Sequence, residues 1–299
     1  MTDTYYRHSG RAPIPGIVGG LATGILAAIV LSLIYAYVIL YIPIIGYVTF
    51  ILTALCGCGV GFAMGTVLSL GKVRNNTVAM SLGVAVGLVT LWASWVFYVY
   101  ALLHRGGRES EATMLGIALN PDAMWEVIRQ VNDVGAWSFK SFRPTGGVLW
   151  AFWLGEAVII VGGATIAAWA VIAGSPFCER CEQWCEETKG VGTCNEGEPT
   201  QLKQHLEQKR FEILETLGAV LPTAKSWYRW DLASCKDCGA TNTLSIQKMT
   251  LEVEKGKPKT NSVEVIGKLL LAPDEVAPLI HLGRRLGKRE PEAASQVAA

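Results

Sequence analysis

Ile17–Tyr41 reads IVGGLATGILAAIVLSLIYAYVILY, with no charged side chain from end to end. A helix rises about 1.5 Å per residue, so roughly 20 such residues cross the ~30 Å hydrocarbon core of a bilayer. Three more stretches of this kind follow, at about Tyr47–Leu70, Val78–Leu103 and Val148–Ala173. Between positions 12 and 103 the only charged side chains are Lys72 and Arg74, whereas from position 174 onward charge is spread throughout. A buried helix of a soluble core would not recur four times at this length with so little charge. The pattern predicts an α-helical membrane bundle of four transmembrane helices over 1–173, with an outer loop at 104–147. A small α+β domain at 174–283 and a disordered tail at 284–299 complete the expected layout.

Small residues recur at a spacing of four inside these stretches: Gly16, Gly20 and Gly24; Gly57, Gly61 and Gly65; Gly83 and Gly87; Gly163 and Ala167. That spacing puts them on one helix face, where they let neighbouring backbones approach closely. A glycine-lined pore is the alternative. Aromatic residues gather towards one end of three of the spans, at Tyr35, Tyr37 and Tyr41, at Trp92 to Tyr100, and at Trp150 to Trp153, as expected of rings anchored at an interface. In the outer loop, Asn120-Pro121 reads as a helix start, and Met124, Ile128 and Val131 share a face up to Gly135. A short amphipathic helix is expected there, lying on the membrane or capping the bundle.

Only the fourth span carries an ionisable side chain, Glu156. A carboxylate at that depth is costly, so it should face the bundle and either find a partner or be protonated. The functional reading is a proton or cation site. The structural one is a neutral carboxyl bonded to a backbone carbonyl or to Ser94. Cys56 and Cys58 lie two apart on different faces of the second span and read as small buried hydrophobes.

Six of the eight cysteines fall in the polar half. Four form two C-x-x-C pairs, Cys178/Cys181 and Cys235/Cys238, the second followed by Gly239. Each pair sets two thiolates about one tight turn apart, so both sulfurs can reach one tetrahedral ion. Glycine after the last cysteine permits the turn and directs amide donors at sulfur. The expected ligand set is Cys178, Cys181, Cys235 and Cys238, with structural zinc as cofactor. The gap between the pairs is far longer than the ~15–20 residues of a compact site. A helix over 200–217, capped by Thr200 and closed by Gly218, is expected to fill it. Cys185 and Cys194 are then spare thiols, a redox pair or ligands of a second ion. Alternatively, they close a local site with Cys178 and Cys181. Leu244–Glu254 and Ser262–Leu271 read as a hairpin around the turn at Lys255–Pro258, and a last helix follows at Glu275–Leu282, capped by Asp274.

The two knuckles and the following hairpin resemble the zinc-ribbon superfamily over about a third of the chain. The fold class is therefore a four-helix membrane bundle followed by a small α+β zinc-ribbon-like domain with a helical insertion. The whole layout is similar to bacterial four-helix multi-pass membrane proteins that carry a zinc ribbon. Gly71-Lys72-Val73-Arg74-Asn75 and Trp153-Leu154-Gly155-Glu156-Ala157 contribute to that likeness. The resemblance implies metal binding at the four matching cysteines and implies no reaction.

Free thiols need a reducing space, and the loop Gly71–Asn76 is basic with no acid, although the wider count of basic residues is nearly tied between the two sides. Both termini are therefore placed in the cytoplasm, in the cell (inner) membrane. No cleavable signal peptide or lipidation motif is expected. A net charge of +1 gives no global field for nucleic acid, and Trp184, Trp227 and Trp230 do not interleave with a cationic patch. No G-x-S-x-G, H-E-x-x-H or phosphate-binding loop is present, and His205 and His281 read as helix-surface residues, so the chain is expected not to be an enzyme. The leading expectation is a membrane-anchored, zinc-binding interaction or assembly module with the bilayer and a cytoplasmic protein as partners. A transporter or channel component using Glu156 is the alternative, for which homo-oligomerisation could supply further charge. A zinc-dependent enzyme comes last.

Overall fold

The computed structural model of the chain describes residues 4–41, 47–105, 111–137, 143–254 and 257–287. It divides into two compact units: the described residues up to His8 together with those from Ser175 onward, and Ser9–Gly174. The expected 1–173 domain thus opens with a few residues that fold with the other unit.

In the second unit, α1 (Ile14–Tyr41), α2 (Tyr47–Leu70), α3 (Asn76–Leu103) and α6 (Gly146–Gly174) are long and apolar enough to cross a membrane, consistent with a multi-pass membrane protein. α1 and α6 each pack against both α2 and α3, which gives the ring order α1-α2-α6-α3. The buried face of α1 is one row of small residues, Gly16, Gly20, Gly24, Ala28, Ser32 and Ala36. A β-carbon at Gly57 would lie 2.6 Å from the Ile160 carbonyl oxygen, and one at Gly83 would lie 2.6 Å from the Thr165 Cα. These glycine rows are therefore helix contacts, not the lining of a pore. Leu26, Leu55, Phe62, Leu88, Leu154 and Ile166 point outwards and are exposed, as side chains bathed by lipid would be. Hydroxyls within the bundle are satisfied by backbone: Ser32 Oγ of α1 donates across to the Thr90 carbonyl of α3 at 2.9 Å, and Thr90 Oγ1 to that of Val86 in its own helix at 2.8 Å. The start of α1 meets the α2–α3 turn, where the Arg74 amide donates to the Arg11 carbonyl at 2.7 Å and Asn75 caps α3.

Between α3 and α6 lie α4 (Met114–Ala118) and α5 (Pro121–Val134), with Asn120 as N-cap of the latter. Met124 and Ile128 of α5 pack on Val96 and Val99 of α3, so the amphipathic helix covers a flank of the bundle.

The other unit is built on an antiparallel sheet in the order β3 (Glu186–Asn195), β4 (Ser226–Ser234), β5 (Asn242–Glu254), β6 (Lys257–Leu271), beside a small pair, β1 (Phe177–Cys178) and β2 (Gln183–Trp184). One face carries Tyr228, Trp230, Leu244, Ile246, Ile266 and Leu269, covered by α7 (Pro199–Glu207), α8 (Glu212–Leu217) and α9 (Pro273–Leu286). The single helix expected over 200–217 is broken into α7 and α8. Lys209 takes a left-handed φ of 62°, and Glu198 with Pro199, not Thr200, starts α7. Likewise Ala272 and Pro273 start α9, not Asp274, and α9 runs on through Arg284 and Arg285 instead of ending at Leu282. The rest of the expected tail and the Lys255-Gly256 turn lie outside the described residues. Residues 4–6 extend the sheet along β6: the Tyr6 amide donates to the Lys268 carbonyl at 2.9 Å and the Leu270 amide to that of Thr4 at 3.0 Å.

Candidate metal centre

β1 and β2 form the first knuckle, with Phe177 opposite Trp184 and Cys178 opposite Gln183. Glu182 turns the chain with φ 51°, and the Cys185 amide closes the loop on the Pro176 carbonyl at 2.8 Å. The second knuckle lies between β4 and β5, not on the β5–β6 hairpin that the sequence reading associated with it. The Cys235 amide donates to the Thr241 carbonyl and the Gly239 amide to that of Cys235, both at 2.9 Å. Gly239 sits at φ 58°, where a β-carbon would be strained, and this lets the Ala240 amide point at Cys238 Sγ at 3.4 Å.

The two knuckles bring Cys178, Cys181, Cys235 and Cys238 together, with all four sulfurs within 4.8 Å of one another. Cys238 Sγ is 3.6 Å from both Cys178 Sγ and Cys235 Sγ. Thiolates about 2.3 Å from a tetrahedral ion are roughly 3.8 Å apart, so the spacing is compatible with one ion at the centre. Four soft donors on two rigid turns fit a thiophilic metal. The thiols are unequal. Burial raises Cys235, but the Gln183 side-chain amide at 3.4 Å and the Cys238 and Asp237 amides outweigh it and bring it down to about 6. Cys178 is also lowered: burial works against it, and hydrogen bonds from Thr241 and Cys181 prevail. Cys181 rises to about 12, chiefly through its hydrogen bond to Cys238. Neighbouring hydrogen-bond donors, side-chain and backbone, thus lower two of the four thiols.

Cys185 and Cys194 do not join this group. Cys185 is buried beside it, with Sγ aimed at the Thr241 carbonyl at 3.7 Å, and burial followed by the nearby Cys235 and Cys178 holds its thiol at about 12. Cys194 lies in the sheet core opposite Tyr228, pushed up to about 12 by burial. The two occupy different cores, so they are not a pair, and neither local closure with Cys178 and Cys181 nor a shared second ion is formed.

The sequence reading missed the support around the first knuckle. Tyr6 Oη accepts from the Phe177 amide at 2.9 Å, and the rings of Phe177 and Trp184 meet edge to face at 5.1 Å, with His8 against Trp184 at 5.9 Å. A Tyr-Tyr pair just before an apolar span was the only signal.

Glu156 belongs to the other unit, Ser9–Gly174. It lines a cavity of about 130 Å³ among α1, α2, α3 and α6. Ser94 lines the same cavity but donates to the Leu91 carbonyl at 2.8 Å, not to Glu156. Cys56 is buried and Cys58 exposed, and neither belongs to a metal-ligand cluster among the described residues.

No protein family matches the chain, and no curated protein or solved structure is significantly similar to it.

Proposed function

We propose that the chain is a membrane-anchored zinc protein whose cytoplasmic, ribbon-like domain serves interaction or assembly and not catalysis. The observation that carries this reading is the closed sulfur quartet. Four thiolates fill a tetrahedral ion and leave no position for water, which is the arrangement of a structural site. Tetrahedral sulfur donors select zinc or iron, and zinc is the ion that adds no redox chemistry to a purely structural role. Cys178, Cys181, Cys235 and Cys238 hold it. What the ion supplies is a cross-link between β1–β2 and the β4–β5 turn, which fixes one end of the four-stranded sheet. The surface offered to a protein partner is that sheet with α7 and α8, the elements inserted between the two knuckles. A reducing compartment would keep the four thiols available to the ion, which supports a cytoplasmic position for this domain and for both termini.

The experiment is site-specific photo-crosslinking in intact membranes, from exposed positions on α7 and β6, in wild type and in a Cys235→Ser, Cys238→Ser variant. One discrete adduct that forms only when the cysteines are present supports the reading. An absence of any discrete adduct from both positions counts against it.

A further inference from the structure

Four helices converge on the Glu156 cavity at the end of the bundle remote from the start of α1. Tyr35 comes from α1, Thr49 from α2, Trp95 and Tyr98 from α3, and Trp153 and Glu156 from α6. Its wall is aromatic and internally ordered: Trp95 meets Trp153 edge to face at 5.0 Å and Tyr98 at 5.8 Å. Two of the lining hydroxyls, those of Tyr35 and Ser94, are engaged. Tyr35 Oη is 3.1 Å from Thr53 Oγ1, which donates to the Thr49 carbonyl at 2.8 Å, and Ser94 is bonded to its own helix. Glu156 is half-buried and has no hydrogen bond or ion pair among the described residues. Arg105 also lines the cavity but is exposed, with its guanidinium 5.8 Å from the Tyr41 ring centroid.

We propose that this cavity binds an alkylammonium group, seated against the Glu156 carboxylate and among the Trp95, Tyr98 and Trp153 rings. The inference goes beyond the zinc reading and does not depend on it. A carboxylate in a low-dielectric site calls for a cation, and aromatic faces attract one that carries methyl groups more than one that carries a hydration shell. A hard metal ion needs about six oxygens, several of them charged, and the lining side chains offer a single carboxylate. Size agrees. A cavity of about 150 Å³ admits benzene, and tetramethylammonium or a choline head is of similar bulk. Towards the other end of the bundle Val60, Met64, Ile160 and Ala164 are fully packed, so the cavity is a blind pocket and not a segment of a channel. The same trimethylammonium chemistry occurs in free choline and in a phosphatidylcholine headgroup.

The test is equilibrium binding of radiolabelled choline to the full-length protein in phosphatidylglycerol nanodiscs. Saturable binding of one choline per chain is expected, displaced by tetramethylammonium and not by sodium chloride at equal ionic strength. Glu156→Gln weakens it at least tenfold. Trp153→Leu, which keeps the carboxylate, does the same and carries the test if the first variant does not fold. Adding phosphatidylcholine to the nanodisc separates the sources: displacement of choline identifies the lipid headgroup, and undisturbed binding identifies the free amine. No saturable binding, displacement by sodium, or undiminished binding in a folded Glu156→Gln overturns the proposal.

Discussion

Asp231 is a buried acid at the centre of the sheet's polar contacts. It lies in β4, four residues before the Cys235 knuckle, and is 1% exposed. Its carboxylate accepts from the Gly190 amide at 2.6 Å and from Arg229 Nη2 at 3.1 Å. Gly190, at φ 60°, sits in the register shift of β3 between Thr188 and Gly192, so one acid pins a bulge and neutralises a cation. Removing one partner of a buried pair costs about 3–5 kcal/mol, because the other charge is left unpaired. The Arg229 side chain keeps 25% exposure, which favours the lower end. Asp231→Ala should therefore cost about 3 kcal/mol, whereas Asp231→Asn keeps an acceptor for Gly190 and should cost about 1–2 kcal/mol. Hydrogen exchange of the full-length protein reads this locally. Amides of β3, β4 and β5 should exchange roughly a hundredfold faster in Asp231→Ala, with the bundle helices unchanged. Adding Arg229→Met should recover part of the loss, since no unpaired cation then remains. Equal effects of Ala and Asn, or unaltered exchange in β3, would refute the clamp.

In the bundle, Gly83→Val places a side chain where a β-carbon alone would be 2.6 Å from Thr165 Cα, whereas Gly162 has nothing within 4 Å. Overpacking of this kind costs about 1–3 kcal/mol, so Gly83→Val should lower the unfolding temperature in detergent by several degrees while Gly162→Ala leaves it unchanged. Glu196 is held below the usual carboxylate range by hydrogen bonds from Lys248, at 2.5 Å, and from Ser226. A carboxyl lowered on folding stabilises above its unfolded pKa, and the gain is lost as pH falls through the folded value. The pair is about one-third exposed, so the effect is under ~1 kcal/mol. Wild type should exchange more slowly than Glu196→Gln in β3 and β4 at pH 7, and the difference should fade below about pH 4.

The four spans were legible because lipid leaves few choices: expected at 17–41, 47–70, 78–103 and 148–173, they occur at Ile14–Tyr41, Tyr47–Leu70, Asn76–Leu103 and Gly146–Gly174. The cysteine quartet was legible from the two C-x-x-C turns and Gly239. β3 and β4 were not. β4 buries Trp227, Tyr228, Trp230, Asp231, Leu232 and Ala233 on both faces, so no alternation marks it, and β3 opens with exposed Glu186 and Glu187 and contains two glycines. The break between α7 and α8 falls at Gln208–Arg210, where the apolar stripe lapses without a glycine or proline to announce it. The strand added by residues 4–6 rests on pairing with a segment more than two hundred residues away, which no local pattern encodes. Arg105, a second charge at the Glu156 cavity, was hidden for the same reason.

The central claim is tested most directly by the metal content of the full-length protein, purified reduced in detergent, since residues 4–8 belong to the unit that holds the cysteine quartet and a fragment beginning at Gly174 would lack them. Wild type and the Cys185→Ser, Cys194→Ser variant should each hold one zinc per chain. The Cys235→Ser, Cys238→Ser variant should hold none, and its β1–β2 and β4–β5 amides should lose protection. No metal in wild type, or one zinc retained without Cys235 and Cys238, would contradict the account.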